Sequence, residues 1–321
     1  MMIKVSLLIL IISIILGIIL WIIQPAIELE VNNNGILLPT LIISSDNRLQ
    51  YIHEYNEIIN DNYDNDITIV IPAYNEEIRM PIMLDSTLYY MNNWCHDNNI
   101  TYEILIVDDG STDGTLNVAT NYMINNNNNN NNIRVLKLNI NQGKGEAVKV
   151  GVLRSKGKYI LMADADGATD IKALPKLYDS LKSIENNQGL GVAIGSRAHL
   201  ENKAIATRAF YRTILMRGFH IAIMLLISRN IKDTQCGFKF FTRNAAKQLF
   251  SGLHLKRWAF DVEIIYRAEK FQIPMKEVAV SWQEIEGSKL IRTKFDIIKT
   301  SLTMARDMLC VRVLYLLKYW K

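Results

Sequence analysis

Two carboxylates, Asp164 and Asp166, flank Ala165 directly after the apolar run 159–163. On a turn at a strand end their oxygens suit Mg²⁺ or Mn²⁺, and such a cation would bridge and neutralise a diphosphate. Taken alone, the triplet reads equally well as a turn in which an aspartate accepts backbone N–H bonds. Asp108-Asp109-Gly110-Ser111-Thr112-Asp113-Gly114-Thr115 follows another apolar run. Its glycines permit unusual dihedrals and its Ser and Thr can cap a helix. Asp108, at the strand end, can also accept from the N–H of a uracil base. Pro72-Ala73-Tyr74-Asn75-Glu76-Glu77 offers a rigid strand exit, an aromatic face and a carboxylate for ribose hydroxyls. Asn141-Gln142-Gly143-Lys144-Gly145 brings closely approaching backbone and one cation. Because Lys144 is followed by Gly145 and Glu146, the phosphate loop G-x-x-x-x-G-K-[ST] is absent, and the dinucleotide pattern G-x-G-x-x-G fails as well.

These motifs need elements to hold them. Short apolar runs at 67–71, 104–107, 135–138, 159–163 and 192–194 alternate with helical stretches. The alternation predicts an α/β fold, a mostly parallel sheet with helices on both faces. In such sheets ligands bind beyond the carboxyl ends of the strands. Residues 72–76, 108–115 and 164–166 begin where three of the runs stop, so they are expected to converge on one edge.

The flanks differ from this core. Residues 5–23 carry no charge and are almost wholly Ile, Leu, Val and Trp. As a helix they would span about 28 Å, close to the hydrocarbon thickness of a bilayer, and they are longer than a cleaved signal peptide requires. A membrane anchor at 1–25 and a polar stalk at 26–66 are therefore expected, followed by the α/β domain at 67–288. The last stretch, 289–321, holds eight basic residues (Lys289, Arg292, Lys294, Lys299, Arg306, Arg312, Lys318, Lys321) against Asp296 and Asp307. It reads as a basic amphipathic tail suited to anionic membrane lipid. Lys4 ahead of the span and Glu28 and Glu30 behind it favour a domain outside the cytosol. The cationic tail and three cysteines without pairing spacing favour a cytosolic one, which is the orientation expected. Segments 219–227 and 308–320 suit either interfacial helices or core packing. The Asn run 125–132 reads as a solvated loop. The 36 Lys and Arg against 32 Asp and Glu leave a net charge of +4, which does not indicate a nucleic-acid partner.

Pro-Ala-Tyr-Asn-Glu, Asp-Asp-Gly-Ser-Thr-Asp-Gly-Thr, Asn-x-Gly-Lys-Gly and Asp-Ala-Asp-Gly, in this order, resemble glycosyltransferase family 2 with its GT-A fold. Gly195-Ser196-Arg197, the stretch from Asp233 through Gly237 to Lys239, and Arg257-Trp258-Ala259-Phe260-Asp261-Val262-Glu263 are similar to its dolichyl-phosphate glucosyltransferase branch. The resemblance runs from about residue 67 to 288. It implies inverting transfer of glucose from UDP-glucose to dolichyl phosphate at the endoplasmic reticulum membrane. Pro72, Tyr74 and Glu76 would lie at the nucleoside, Asp108 at the base, Lys144 near the nucleotide, and Asp164 and Asp166 at ribose and metal, Mg²⁺ or Mn²⁺. Arg197, Lys239 and Arg208 or Arg212 would hold phosphates, the last two those of the acceptor. Asp166, Asp261, Arg197 and Lys239 form the expected catalytic set. Asp261 and Glu263 are poor neighbours on one helix face, so only one is expected at the site, and an N-cap role for Asp261 is equally open. Ala168 stands where related mannosyltransferases carry Gln, so a third metal ligand must come from elsewhere. Rival readings are a GDP-mannose-dependent mannosyltransferase and an inactive scaffold of the same fold.

Overall fold

The computed structural model describes residues 2–33, 40–43, 49–52, 62–126, 132–200, 218, 221–283, 285 and 294–321. Within these, nine strands form one sheet: β1 (Thr40–Ile43), β2 (Leu49–Ile52), β3 (Asn65–Ala73), β4 (Tyr102–Asp108), β5 (Asn132–Lys137), β6 (Gly157–Met162), β7 (Val192–Ser196), β8 (Lys239–Thr242) and β9 (Met275–Ala279). Their order is β2-β1-β5-β4-β3-β6-β8-β7-β9. The central strands β5, β4, β3 and β6 run parallel. β8 is antiparallel to both neighbours, β6 and β7, and β9 is parallel to β7.

Period-two alternation sends side chains to two cores. Ile67, Ile69 and Ile71 of β3, with Ile104 and Ile106 of β4, enter the core under α2 (Arg79–Asn98), α3 (Thr115–Asn126) and α5 (Leu174–Ile184). Val70, Leu105, Val107, Ile160 and Met162 enter the opposite core, under α4 (Lys144–Leu153), α6 (Arg243–Ser251) and α7 (Phe260–Lys270). Strands buried on both faces read as continuous apolar runs, which is why they were visible as such.

One buried polar cluster fastens the amino ends of the strands. Glu103, 1% exposed, accepts from the Thr68 hydroxyl at 2.6 Å, the Lys156 N–H at 2.7 Å and Arg134 Nη1 at 3.0 Å. Removing the carboxylate leaves Arg134 uncompensated, so Glu103→Ala is expected to cost about 3 kcal/mol of stability, read from denaturant midpoints of the solubilised protein.

The flanks depart from a simple anchor, stalk and tail. α1 (Met2–Asn33) passes through Pro25 without ending, and β1 and β2, within the segment expected as stalk, extend the sheet by pairing β1 with β5. Side chains of α1 are described from Ser13 to Glu28; Ile14, Leu16, Ile18 and Leu20 are each more than half exposed, whereas Pro25 and Ala26 are buried. α1 packs on α8 (Lys294–Leu316), where Arg306 Nη1 donates to Gln24 Oε1 at 3.0 Å. Among the described residues no helix is long and apolar enough to cross a membrane. The closing segment divides: Met308, Cys310, Val311, Leu314, Tyr315 and Trp320 belong to the core, and Leu302, Leu316, Leu317 and Tyr319 are exposed. Residues 221–226 are helical, with Ile223 and Ile227 in the same core and Ile221 and Leu225 exposed.

Candidate active site

Register places the motifs together. Ala73 pairs with Asp108, and Val70 with Met162, so the loops after β3, β4 and β6 leave the sheet side by side. The first two are stitched to each other. Asn75, with φ 58°, donates its N–H to Ser111 Oγ at 3.0 Å and accepts from Thr112 N at 2.9 Å; Glu76 N–H donates to Thr115 Oγ1 at 2.7 Å. Pro72 is buried, and Tyr74 presents its ring to solvent at 42% exposure. Glu76 is forked onto Arg79, whose Nη1 lies 3.7 Å from Asp166 Oδ2.

Asp108 and Asp109 divide the labour after β4. Asp109 accepts from the N–H groups of Gln142 at 2.8 Å and Gly143 at 2.9 Å, fixing the turn that delivers Lys144. Burial, outweighing those two bonds, pushes its carboxyl up to about 6. Asp108 accepts from Ser111 N at 3.3 Å through Oδ1, and its buried Oδ2 has no partner. Burial likewise raises Asp108. An orphaned, desolvated acceptor is costly unless a ligand donor completes it.

Lys144 is the first residue of α4, and its Nζ lies 2.5 Å from Asp164 Oδ1 and 5.8 Å from the Trp258 ring. Desolvation alone would raise the Asp164 carboxyl; Lys144, with Lys239 and Arg197 behind it, holds it below its ordinary value. β8 brings Lys239 to the same edge because an antiparallel strand starts where its parallel neighbours end. Lys239 Nζ, fully buried, donates to Asp261 Oδ1 and to the Cys236 carbonyl, each at 2.6 Å. Burial raises Asp261 in spite of that partner. Two lysines and two aspartates thus group together, Lys239 and Asp261 buried and Lys144 and Asp164 partly exposed.

Asp166 accepts from Ala168 N–H at 3.0 Å through Oδ1, leaving Oδ2 toward Arg79. Beside it a cleft of ≈ 580 Å³ opens between α2, the turn 166–172 and the segment 281–285, with Arg79, Asp166, Ala168, Trp282 and Gln283 among its walls. Thr169 bridges to Trp282, and Gln283 N–H donates to the Ala168 carbonyl at 3.0 Å. Arg197 is held by Asp233 through Nε at 2.7 Å and Nη2 at 2.8 Å and lies 5.5 Å from the Trp282 ring. Among the described residues no three His, Cys, Asp or Glu side chains converge on one point, and Ala168 adds no donor. Two carboxylates fit a cation that takes its other ligands from a diphosphate and water.

The structure separates the two carboxylates of α7. Asp261 faces Lys239, while Glu263, 0% exposed, turns away to His254, Leu255 and Tyr315. The helix cap is Ala259, so Asp261 is not an N-cap. Arg208 and Arg212 lie outside the described residues. The sequence assigned no role to Arg79, Asp109, Asp233, Gly237 or Trp282, although Asp109, Asp233 and Gly237 stand within its motifs and Arg79 lies three residues after Glu76.

The sequence model described as Glycosyl transferase family 2 matches residues 68–250. The chain is 46% identical over 257 residues to the dolichyl-phosphate beta-glucosyltransferase of Dictyostelium discoideum, covering 79% of this chain and 76% of that one. It is 48% identical over 258 residues to the corresponding Drosophila melanogaster protein, covering 80% and 77%. Glucosyl-3-phosphoglycerate synthase from Mycobacterium tuberculosis, solved with Mn²⁺, UDP and glucosyl-3-phosphoglycerate, shares the fold at a TM-score of 0.50 and 15% identity, over 78% of this chain and 81% of that one. The stitched loops, the carboxylate turn and these likenesses agree: the chain is a glycosyltransferase and belongs to glycosyl transferase family 2, alongside the dolichyl-phosphate beta-glucosyltransferases.

Proposed function

We propose that this enzyme transfers glucose from UDP-glucose to dolichyl phosphate with inversion at the anomeric carbon, giving a β-linked glucosyl phosphate. The observation that carries the reading is the unpartnered Asp108 Oδ2 on the sheet edge that also holds the Lys144–Asp164 pair, in a chain nearly half identical to enzymes named for that product. The uracil N–H completes Asp108, Tyr74 offers a face to the nucleoside, and Lys144 and Arg197 hold the phosphates. Asp166, with Asp164, would hold Mg²⁺ or Mn²⁺, which when bound neutralises charge developing on the departing diphosphate. The acceptor phosphate is already ionised near neutral pH and needs positioning rather than a strong base. Asp261 accepts from Lys239 Nζ and so aims it behind Asp164.

The exposed apolar residues of α1 support its reading as a membrane anchor, the named relatives support the endoplasmic reticulum as its membrane, and the basic tail supports a cytosolic domain 67–288. The exposed Leu316, Leu317 and Tyr319 support contact of the tail with lipid.

Asp109 gives a pH dependence whose two parts have opposite sign. Its folded value, about 6, lies above the ordinary 3.8, so this group favours folding at low pH and that contribution is lost as pH rises through about 6. Donor binding moves the other way, since a protonated Asp109 accepts less well from the N–H groups that set the Lys144 turn. KM for UDP-glucose is expected to rise about threefold between pH 7 and 5, a loss on the scale of one weakened hydrogen bond, in initial-rate measurements.

The assignment is tested by supplying membranes that contain the full chain with dolichyl phosphate and either labelled UDP-glucose or labelled GDP-mannose. Lipid-linked glucose from UDP-glucose alone is expected. Lipid-linked mannose would overturn the donor assignment.

A further inference from the structure

Glu263 is the most enclosed carboxylate of α7, yet it touches nothing in the cleft. Its Oε1 accepts from His254 Nδ1 at 2.7 Å and from Tyr315 Oη at 2.9 Å, and its Oε2 from Leu255 N at 2.7 Å; the His254 N–H lies 3.1 Å from both oxygens. Tyr315, on α8 and 3% exposed, accepts in turn from Arg267 Nη1 at 2.6 Å, and the His254 ring stacks on Trp320 with centroids 4.2 Å apart. One carboxylate therefore ties three donors of the turn 254–255 to the carboxyl-terminal helix.

That turn abuts the nucleotide side of the site. A Cβ on Gly143 would lie 2.6 Å from the Lys256 carbonyl oxygen, and one on Gly145 2.6 Å from that of Leu255 and 2.7 Å from Phe260 Cβ. The Lys256 carbonyl also accepts from Glu146 N–H at 3.1 Å. The backbone held by Glu263 is thus in van der Waals contact with both neighbours of Lys144 and bonded into the first turn of α4. Trp258, at the end of the same segment, stands over Lys144. Packing this close transmits displacement rather than absorbing it.

We propose that Glu263, braced by Tyr315, is a positioning residue for donor binding: it couples α8 to the Lys144 turn and acts on substrate only through Lys144. The proposal rests on the reading of Lys144 as the diphosphate cation. Since α8 also packs on α1, the helix pair nearest the expected membrane contact is joined to the donor site by a continuous path of contacts, Tyr315 to Glu263 to residues 254–256 to Lys144.

A support that only stabilised the fold would act the same whether or not Lys144 were present, so a double-mutant cycle on UDP affinity separates the two roles. Calorimetric titration of the full-length, detergent-solubilised chain with UDP and Mn²⁺ is made for Tyr315→Phe and Glu263→Gln, each alone and with Lys144→Gln. Tyr315→Phe is expected to weaken UDP binding about fivefold and Glu263→Gln about tenfold, and each by less than about twofold once Lys144 is Gln, as coupled sites behave. Melting temperatures taken alongside separate loss of fold from loss of coupling. Equal factors in both backgrounds, or lowered melting temperature with unchanged UDP affinity, would overturn the proposal. Failure of the unaltered chain to bind UDP would instead sink the nucleotide-sugar reading on which it rests.

Discussion

Asp166→Asn is expected to lower glucose transfer by at least about a hundredfold while leaving the melting temperature nearly unchanged, because charge stabilisation of the leaving diphosphate is worth several kcal/mol. The substitution is almost isosteric, and the amide oxygen can still accept from Ala168 N–H, the bond that shapes the turn. What disappears is the negative charge at Oδ2, the oxygen that no backbone group uses. Arg79, now beside a neutral amide, keeps its fork onto Glu76. Rates with UDP-glucose and dolichyl phosphate, set beside thermal denaturation, check both halves. Mn²⁺ binding followed by electron paramagnetic resonance in the presence of UDP should weaken in parallel.

Gly237→Ala has the second large effect, by a different route. A Cβ at this position would fall 2.1 Å from Asp164 Oδ2 and 2.4 Å from its Cγ. Ordinary contact begins near 3.4 Å, so the Asp164 carboxylate must retreat by more than an ångström and take its ion pair with Lys144 along. A misplacement of that size costs about a hundredfold in rate. The clash falls on a partly exposed side chain rather than on core backbone, so the protein should still fold. Loss of transfer with a melting temperature within a few degrees of the parent is the expected result. A variant with full activity would mean that Asp164 has another stable position and that its pairing with Lys144 is dispensable.

Both predictions concern contacts that a linear reading could not supply. The five runs that became β3 to β7 were legible because strands buried on both faces are apolar throughout, and the motifs at their ends followed. β8 was not, since four residues inserted antiparallel between β6 and β7 have no period of their own, yet it is β8 that brings Lys239 to Asp261. β1 and β2 lie in a polar, Asn-rich stretch whose composition reads as stalk, and only the pairing of β1 with β5, and of β2 with β1, makes them strands. The spacing of Asp261 and Glu263 sends them to different partners but does not say which one meets Lys239. Tertiary partners decide it, with Glu263 held by His254 and by Tyr315, the latter more than fifty residues away along the chain. Likewise nothing in the linear sequence assigns Asp109 its task, which is to accept from the backbone N–H groups of Gln142 and Gly143. The tail illustrates the limit of composition: its charge suggested a membrane surface, and packing placed Met308, Cys310, Val311, Leu314, Tyr315 and Trp320 in the core.

The most direct measurement of the central claim is the configuration of the product. The chain is purified in detergent and incubated with Mn²⁺, dolichyl phosphate and UDP-glucose labelled with carbon-13 at the anomeric carbon. The lipid product is then examined by nuclear magnetic resonance for its one-bond carbon–hydrogen coupling and its coupling to phosphorus. A β-linked glucosyl phosphate is the predicted result, formed in one inverting displacement. An α-linked product, or label that remains in UDP-glucose or passes only to water, would contradict it.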